Sequence, residues 1–232
     1  FRPEVLNAQV TAQNRPLGRS DYLTLHNLVQ ESAEERLGEL LRGTERIGTI
    51  LSNLPMLHTL ATSDPSARPF FLTGFTDHTS LVQGRWPKIW DSKSQGEVET
   101  VISVGTSRQL GFGVGDQITL VPFPGSSERL LFDVVGIAEP IDSYEEYWMG
   151  SPTYFDIITV GTVGESMVVP LFVNEEDFFG ALATRYPMLG GNFGFNLFLD
   201  PSYLTAENAN GVKRQVLGLE TDLNKRYPRT LV

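Results

Sequence analysis

Three histidines, His26, His58 and His78, are the natural general bases of this 232-residue chain, and His78 has an acid beside it, Asp77. A hydrolase needs such a base, held by an orienting group, together with a nucleophile and an oxyanion hole. Adjacent residues of a strand point to opposite faces, so Asp77 and His78 are not expected to act as a pair. His26 falls in a helical stretch and His58 just past Pro55. The nearest approach to Gly-x-Ser-x-Gly is Gly164-Glu165-Ser166-Met167-Val168, which lacks the second glycine. Glu175-Glu176-Asp177 offers three carboxylates to a cation, yet it reads better as the charged first turn of a helix capped by Asn174. Cys is absent, and neither His-x-x-x-His nor a calcium loop of alternating Asp/Asn is present. No catalytic residue, metal ligand or cofactor is expected.

Gly111-Phe112-Gly113-Val114-Gly115 imitates a phosphate loop. A phosphate loop leads from a strand into a helix whose amides face the anion. Here a β-rich run, Gln117–Val121, follows, and Asp116 puts a negative charge where phosphate would sit. The glycines are expected to make a tight turn instead, with Asp116 accepting from local backbone amides.

Charge is concentrated. From Leu130 to Thr184 there are ten acidic residues and no Lys or Arg, while the rest of the chain carries 18 of each sign, so the net charge of −10 arises in this one window. Nucleic acid needs clustered Lys and Arg and is excluded as a partner for it. A cationic ligand, a basic protein or a metal ion stays open, beside a plain reading as a solvated acidic rim over aromatic core. Within the window, Tyr144, Glu145, Glu146, Tyr147 and Trp148 are candidates for partner contact, because aromatics beside charges suit interface hot spots. The alternative is that Tyr147 and Trp148 pin their loop to the β-rich part, with a Gly150 and Pro152 turn following.

The elements that must position these residues change type along the chain. Ser20 and Asp21 open a helix with Tyr22, Leu25, Val29, Leu37 and Leu41 at helical spacing and Gly43 as its stop. A second helix is expected over Glu45–Leu54, burying Ile47, Ile50, Leu51 and Leu54, so the N-terminal portion reads as mostly helical. Beyond a turn-rich stretch at 61–69, strands are expected at Phe70–Leu72, Val98–Val104, Gln117–Val121, Leu130–Ala138, Tyr154–Val160 and Met167–Val173, with 85–96 an exposed loop. Leu110 and Phe112 suit a short helix between two of them. A last helix, capped at Thr205, carries Ala209, Val212, Val216, Leu219 and Leu223 and ends before Pro228. No internal repeat is evident, and 192–199 is too short to count as low complexity. The longest apolar run, Met167–Val173, is broken by Pro170 and far shorter than the roughly 20 residues of a spanning helix. The chain starts at Phe1 with no signal peptide, which suggests a piece of something longer, or a mature secreted protein.

Leu110-Gly111 with Gly115-Asp116, set between strands and followed by Val134-Val135-Gly136-Ile137, resembles the small β module in the extracytoplasmic domain of MacB/FtsX-type ABC transporter permeases. Leu81-Val82-Gln83-Gly84-Arg85-Trp86-Pro87 is similar to that family's Leu-x-x-Gly-Arg-Trp-Pro loop. Gly136, Pro140 and Tyr147-Trp148 resemble its exit from the module, and Leu199-Asp200-Pro201 its second flank. The ordered set covers most of 73–223; before Thr73 the match is only that of a helical stretch. The acidic, aromatic stretch 142–154 departs from the pattern and removes any inference about a substrate.

The resemblance implies an α+β fold: a discontinuous helix-containing flanking subdomain at both chain ends, 1–69 plus 169–232, interrupted by a β-rich insertion, 70–168. It implies a non-enzymatic extracytoplasmic domain, in the bacterial periplasm or at the cell exterior, of a permease that acts as a dimer. ATP is hydrolysed by a cytoplasmic ABC ATPase partner, and the motion is passed outward to a substrate or an extracytoplasmic protein. Gly84, Trp86, Pro87, Gly115, Asp116 and Gly136 would be its structural motif. Both termini should then lie at one end of the molecule. The rival reading is a free extracytoplasmic binding protein for a small or cationic ligand.

Overall fold

Val5–Ala12 (β1) is a strand whose neighbours come from the far end of the chain, and that pairing sets the architecture. In the computed structural model, residues 5–12, 18–57, 65–90, 97–148, 155–160, 166–226 and 230–231 are described. The further elements, in chain order, are α1 (Arg19–Leu37), β2 (Leu41–Ile50), β3 (Leu54–Pro55), β4 (Ser66–Leu72), α2 (Phe75–His78), β5 (Thr79–Gly84), β6 (Val98–Ser103), α3 (Val104–Leu110), β7 (Gln117–Leu120), β8 (Leu130–Pro140), β9 (Ile158–Val160), β10 (Ser166–Phe172), α4 (Glu175–Asp177), β11 (Gly191–Leu199), α5 (Ala209–Arg226) and β12 (Thr230–Leu231). A π-helical segment, Phe178–Ala183, continues α4. The fold is α+β, with the long helices α1 and α5 toward the two ends and a central mixed sheet.

The sheet runs β12-β1-β11-β2-β4-β10-β6-β8-β5. Only β4 with β10 and β6 with β8 pair in parallel among these neighbours. Pro69 of β4 and Pro170 of β10 sit inside this central pair. Each stands where its strand changes its other partner: β4 from β3 to β2, β10 from β9 to β6. A proline, which has no N–H to give a ladder, is tolerated at such a break.

The second expected helix is corrected: Glu45–Leu54 is mostly strand β2, paired with β11 on one side and β4 on the other. Both faces of β2 are covered. Ile47 enters one core cluster and Ile50 the other, so apolar residues of opposite parity stand three apart and mimic a helical period. The N-terminal portion is therefore not mostly helical, since β1, β2 and β3 lie in it. β11 is a strand not expected from the sequence, although Phe193, Phe195, Leu197 and Leu199 alternate into the main core at the strand period. The other expected strands are present within a few residues of their bounds, except that β9 is shorter than expected and begins at Ile158.

The main core packs Tyr22, Leu25, Val29 and Leu37 of α1 and Leu219 and Leu223 of α5 on β11 and β2. Tyr22 meets Phe71, Phe179 and Phe193 with ring centroids 4.7–5.7 Å apart. The second cluster, on the opposite face, gathers Phe70, Phe75, Trp148, Phe155 and Phe172. Both chain ends meet at one sheet edge, where Gln9 pairs with Leu231 and Val10 with Thr230. Because the pair is antiparallel, β12 itself runs toward the start of β1.

Candidate functional site

The three motif glycines, Gly84, Gly115 and Gly136, and their neighbours build a knot at the middle of β8. Gly84 pairs with Gly136 across β5 and β8. A Cβ on Gly136 would stand 2.5 Å from the Arg85 carbonyl, and one on Gly84 would collide with the Val135 carbonyl, so both sites need glycine for close approach. Gly115 N–H donates to Val134 at 2.8 Å, and Asp116 Oδ2 accepts the Gly113 amide at 2.7 Å. That bond is the local role expected for Asp116. Strand β7 follows the glycine turn rather than a helix, so the phosphate-loop likeness does not extend to the structure. Trp86 stands edge-on to Phe75 at 6.0 Å, and Pro87 accepts through its carbonyl from Asn174 Nδ2 at 3.1 Å.

The five candidate contact residues divide. Tyr147 and Trp148 are 5% and 0% exposed and pin the loop, while Tyr144 is 82% exposed. The loop starts as an Asx turn, with Asp142 Oδ1 accepting the Tyr144 amide at 2.8 Å. Glu145 Oε2 lies 2.8 Å from His78 Nδ1, and the His78 ring stacks on Tyr147 at 3.7 Å and 9°. Asp77 is thus not the partner of His78, as the sequence suggests, but α2 rather than a strand places the two. Glu146 pairs with Arg42 of β2, whose guanidinium lies 6.0 Å from the centre of the Phe198 ring. Tyr147 Oη donates to the Thr73 carbonyl at 2.8 Å. Burial first, then the charges of Glu45, Glu145 and Asp77, holds that phenol far above its ordinary range.

These residues enclose a cleft of about 430 Å³ lined by Arg42, Thr44, Glu45, His78, Glu145 and Glu146, with Tyr147 and Phe198 as walls. Arg42, Thr44 and Glu45 come from β2, so the cleft lies where the loop after β8 meets the strand layer built by the chain ends. Arg42, Glu45 and Phe198 are not legible in the sequence as members, because β2 mimics a helical period and its pairing with β11 leaves no mark in local spacing. Thr44 Oγ1, Glu145 Oε1 and Glu146 Oε1 are buried there without a hydrogen-bond partner. Among the described residues no group of three or more His, Cys, Asp or Glu is arranged to hold a metal ion.

The other sequence candidates are spent elsewhere. Glu175 Oε2 pairs with Arg46 at 3.0 Å, and Asp177 is buried under the Trp90 amide, so the acidic triplet forms the first turn of α4 as expected, though Asn174 caps it without a side-chain bond. His26 stacks on Phe195 at 6.1 Å, and burial, then Arg46, lowers its pKa. His58, residues 161–165, Gly150, Pro152 and Tyr154 lie outside the described residues. No described helix is long and apolar enough to cross a membrane.

No family model matches the chain, and no curated protein matches it in sequence. Among solved structures it is similar to the periplasmic region of MacB from Actinobacillus actinomycetemcomitans, with TM-score 0.43 and 10% identity over 99% of this chain and 87% of that one. It is also similar to the extracellular domain of the noncanonic ABC-type transporter YknZ from Gram-positive bacteria, with TM-score 0.39 and 12% identity over 97% of this chain and 98% of that one. Likeness this loose fixes no residue role.

Proposed function

We propose that this chain is the extracytoplasmic domain of an ABC transporter permease, without catalytic activity of its own. The observation that carries the proposal is the meeting of the chain ends. With β12 laid on β1, both ends leave one edge of the sheet, the geometry required of a domain joined at both ends to one membrane. The motif of the sequence resemblance, Gly84 to Gly136, supports it by forming one knot away from that edge.

The mechanism is mechanical. The flank is 1–69 plus 169–232 and the insertion is 70–168. Strand pairing between β10 of the flank and β6 of the insertion is a single register pair, Phe172 with Val101, reinforced by Thr100 Oγ1 donating to the Phe172 carbonyl at 2.8 Å. The division also cuts β4, whose Phe70–Leu72 pair with Ile47–Thr49 of β2. Movement of one part against the other, driven from the membrane side by a cytoplasmic ABC ATPase acting on a permease dimer, therefore flexes the sheet at these strands and is easiest where β10 meets β6. The Arg42–Glu146 pair crosses the same division as a clasp, and Tyr144 is the exposed side chain placed to meet an extracytoplasmic partner.

Fractionation of host cells with an antibody to this chain tests the reading. A membrane-bound band clearly heavier than 25.8 kDa is expected. A soluble exported band near 25.8 kDa overturns it. One observation favours a second reading, a free binding protein: the partnerless oxygens in the cleft. A thermal-shift screen with amines, cations and basic peptides checks it, and reproducible stabilisation that is lost in Glu145→Gln would support it.

A further inference from the structure

Asp177 is a buried carboxyl that neither the cleft nor the motif knot uses. It is 1% exposed. Its Oδ1 accepts the Trp90 amide N–H at 2.6 Å, while Oδ2 is buried without a hydrogen bond. Three residues earlier, Asn174 grips the Pro87 carbonyl. Two side chains of one element thus hold two backbone groups of the segment between β5 and β6. Glu99 of β6 holds the same segment from the other side, taking the Arg85 fork at 2.5 and 2.6 Å and the Lys88 amide at 2.7 Å. Arg185 lies over the Trp90 ring at 4.8 Å.

Among the described residues no cation balances Asp177. Glu176 beside it and Glu99 across from it both oppose its charge, and Arg85 is committed to Glu99. Removal from water is the largest influence, exceeding the help that the Trp90 amide and the Asn174 side chain give the anion; the carboxyl is pushed up to about 6. We propose that Asp177 is a proton-operated latch, in which uptake of one proton at Oδ2 tightens the hold of α4 and the π-helical segment on Arg85–Trp90. With the segment released, Asp177 is hydrated and titrates at its ordinary value of 3.8. The closed form alone binds the proton between those two values, so a fall from neutral pH to about 4 favours closure by roughly a hundredfold. Neutral pH loads the latch toward opening. The consequence for movement between flank and insertion rests on the function proposed above; the latch itself does not.

Fluorine NMR of the chain labelled with 5-fluorotryptophan tests it, with the Trp90 signal assigned by Trp90→Phe and Trp148 as internal control. The Trp90 signal is expected to titrate with a midpoint near 6 while Trp148 stays still. Asp177→Asn should hold Trp90 at its acid position throughout, and Asp177→Ser, should the amide variant fail to fold, should also abolish the titration. A wild-type Trp90 signal that does not move between about pH 4.5 and 8, or one that titrates unchanged in the variant, overturns the latch. These outcomes concern the chain by itself, whereas the permease reading fails only on the membrane fractionation.

Discussion

At the residue scale, the loop after β8 is held by burial more than by charge. Trp148 is fully buried beside Phe75, so Trp148→Ala should cost about 3–5 kcal/mol in chemical denaturation. Arg42 and Glu146 are 50% and 25% exposed, and a double-mutant cycle should return a coupling below about 1 kcal/mol. The same ordering bears on Asp177. Its folded-state pKa is raised, so the stability tied to its proton is complete below the ordinary value near 4 and is lost as pH rises through about 6. Asp177→Asn, neutral at every pH, should therefore be more stable than wild type at pH 7.5 by about 2 kcal/mol, the difference vanishing near pH 4. Urea midpoints at the two pH values check the sign; a variant less stable at both would remove Asp177 as a strained group. The aromatic pair and the two glutamates were legible as a group because they are consecutive. Their partners Arg42 and His78 were not, since contacts across the chain leave no mark in local spacing.

At the element scale, β2 shows why local pattern misleads. A strand covered on one face alternates plainly, but one covered on both carries apolar residues of either parity, and Ile47 with Ile50 then counts as a helical step. Glycine was the better signal. Gly43 and Gly48 are poor residues for a helix interior, and Gly48 has a packing reason to be there, since a methyl group would intrude on the Phe71 ring. Gly48→Ala should destabilise the protein by about 2 kcal/mol, and Phe71→Leu in the same chain should recover part of that loss. Additive losses in the double variant would mean that the strand, not the contact, sets the cost. β11 is legible in the sequence, its alternating phenylalanines and leucines standing at period two. The knot of Gly84, Gly115 and Gly136 was the opposite case. Its residues were singled out in sequence, yet only the pairing of β5 with β8 explains why two of them admit no side chain.

At the scale of the whole molecule, the issue is whether flank and insertion are separate folding units or one. In the proposed division 70–168 is the insertion, and all three tryptophans, Trp86, Trp90 and Trp148, lie within it. The long helices α1 and α5, of 19 and 18 residues, lie in the flank. Tryptophan emission therefore reports on one part, and helical circular dichroism mostly on the other. The sheet is continuous through β4 and β10, and Asp177, Arg42 and Thr100 each bond across the division. Those contacts predict a single cooperative transition, with the two signals coincident in urea. Yet β10 meets β6 at one register pair, while β4 holds β2 through three, so the same continuity is compatible with flexing at the β10–β6 contact that falls short of unfolding. Breaking two cross-ties together, in Arg42→Ala with Asp177→Ser, should separate the transitions, tryptophan emission changing first. If the signals stay coincident in that variant, the shared strands and the remaining ties, such as Asn174 on the Pro87 carbonyl, unite the molecule, and a hinge at the seam is ruled out as the route for mechanical coupling.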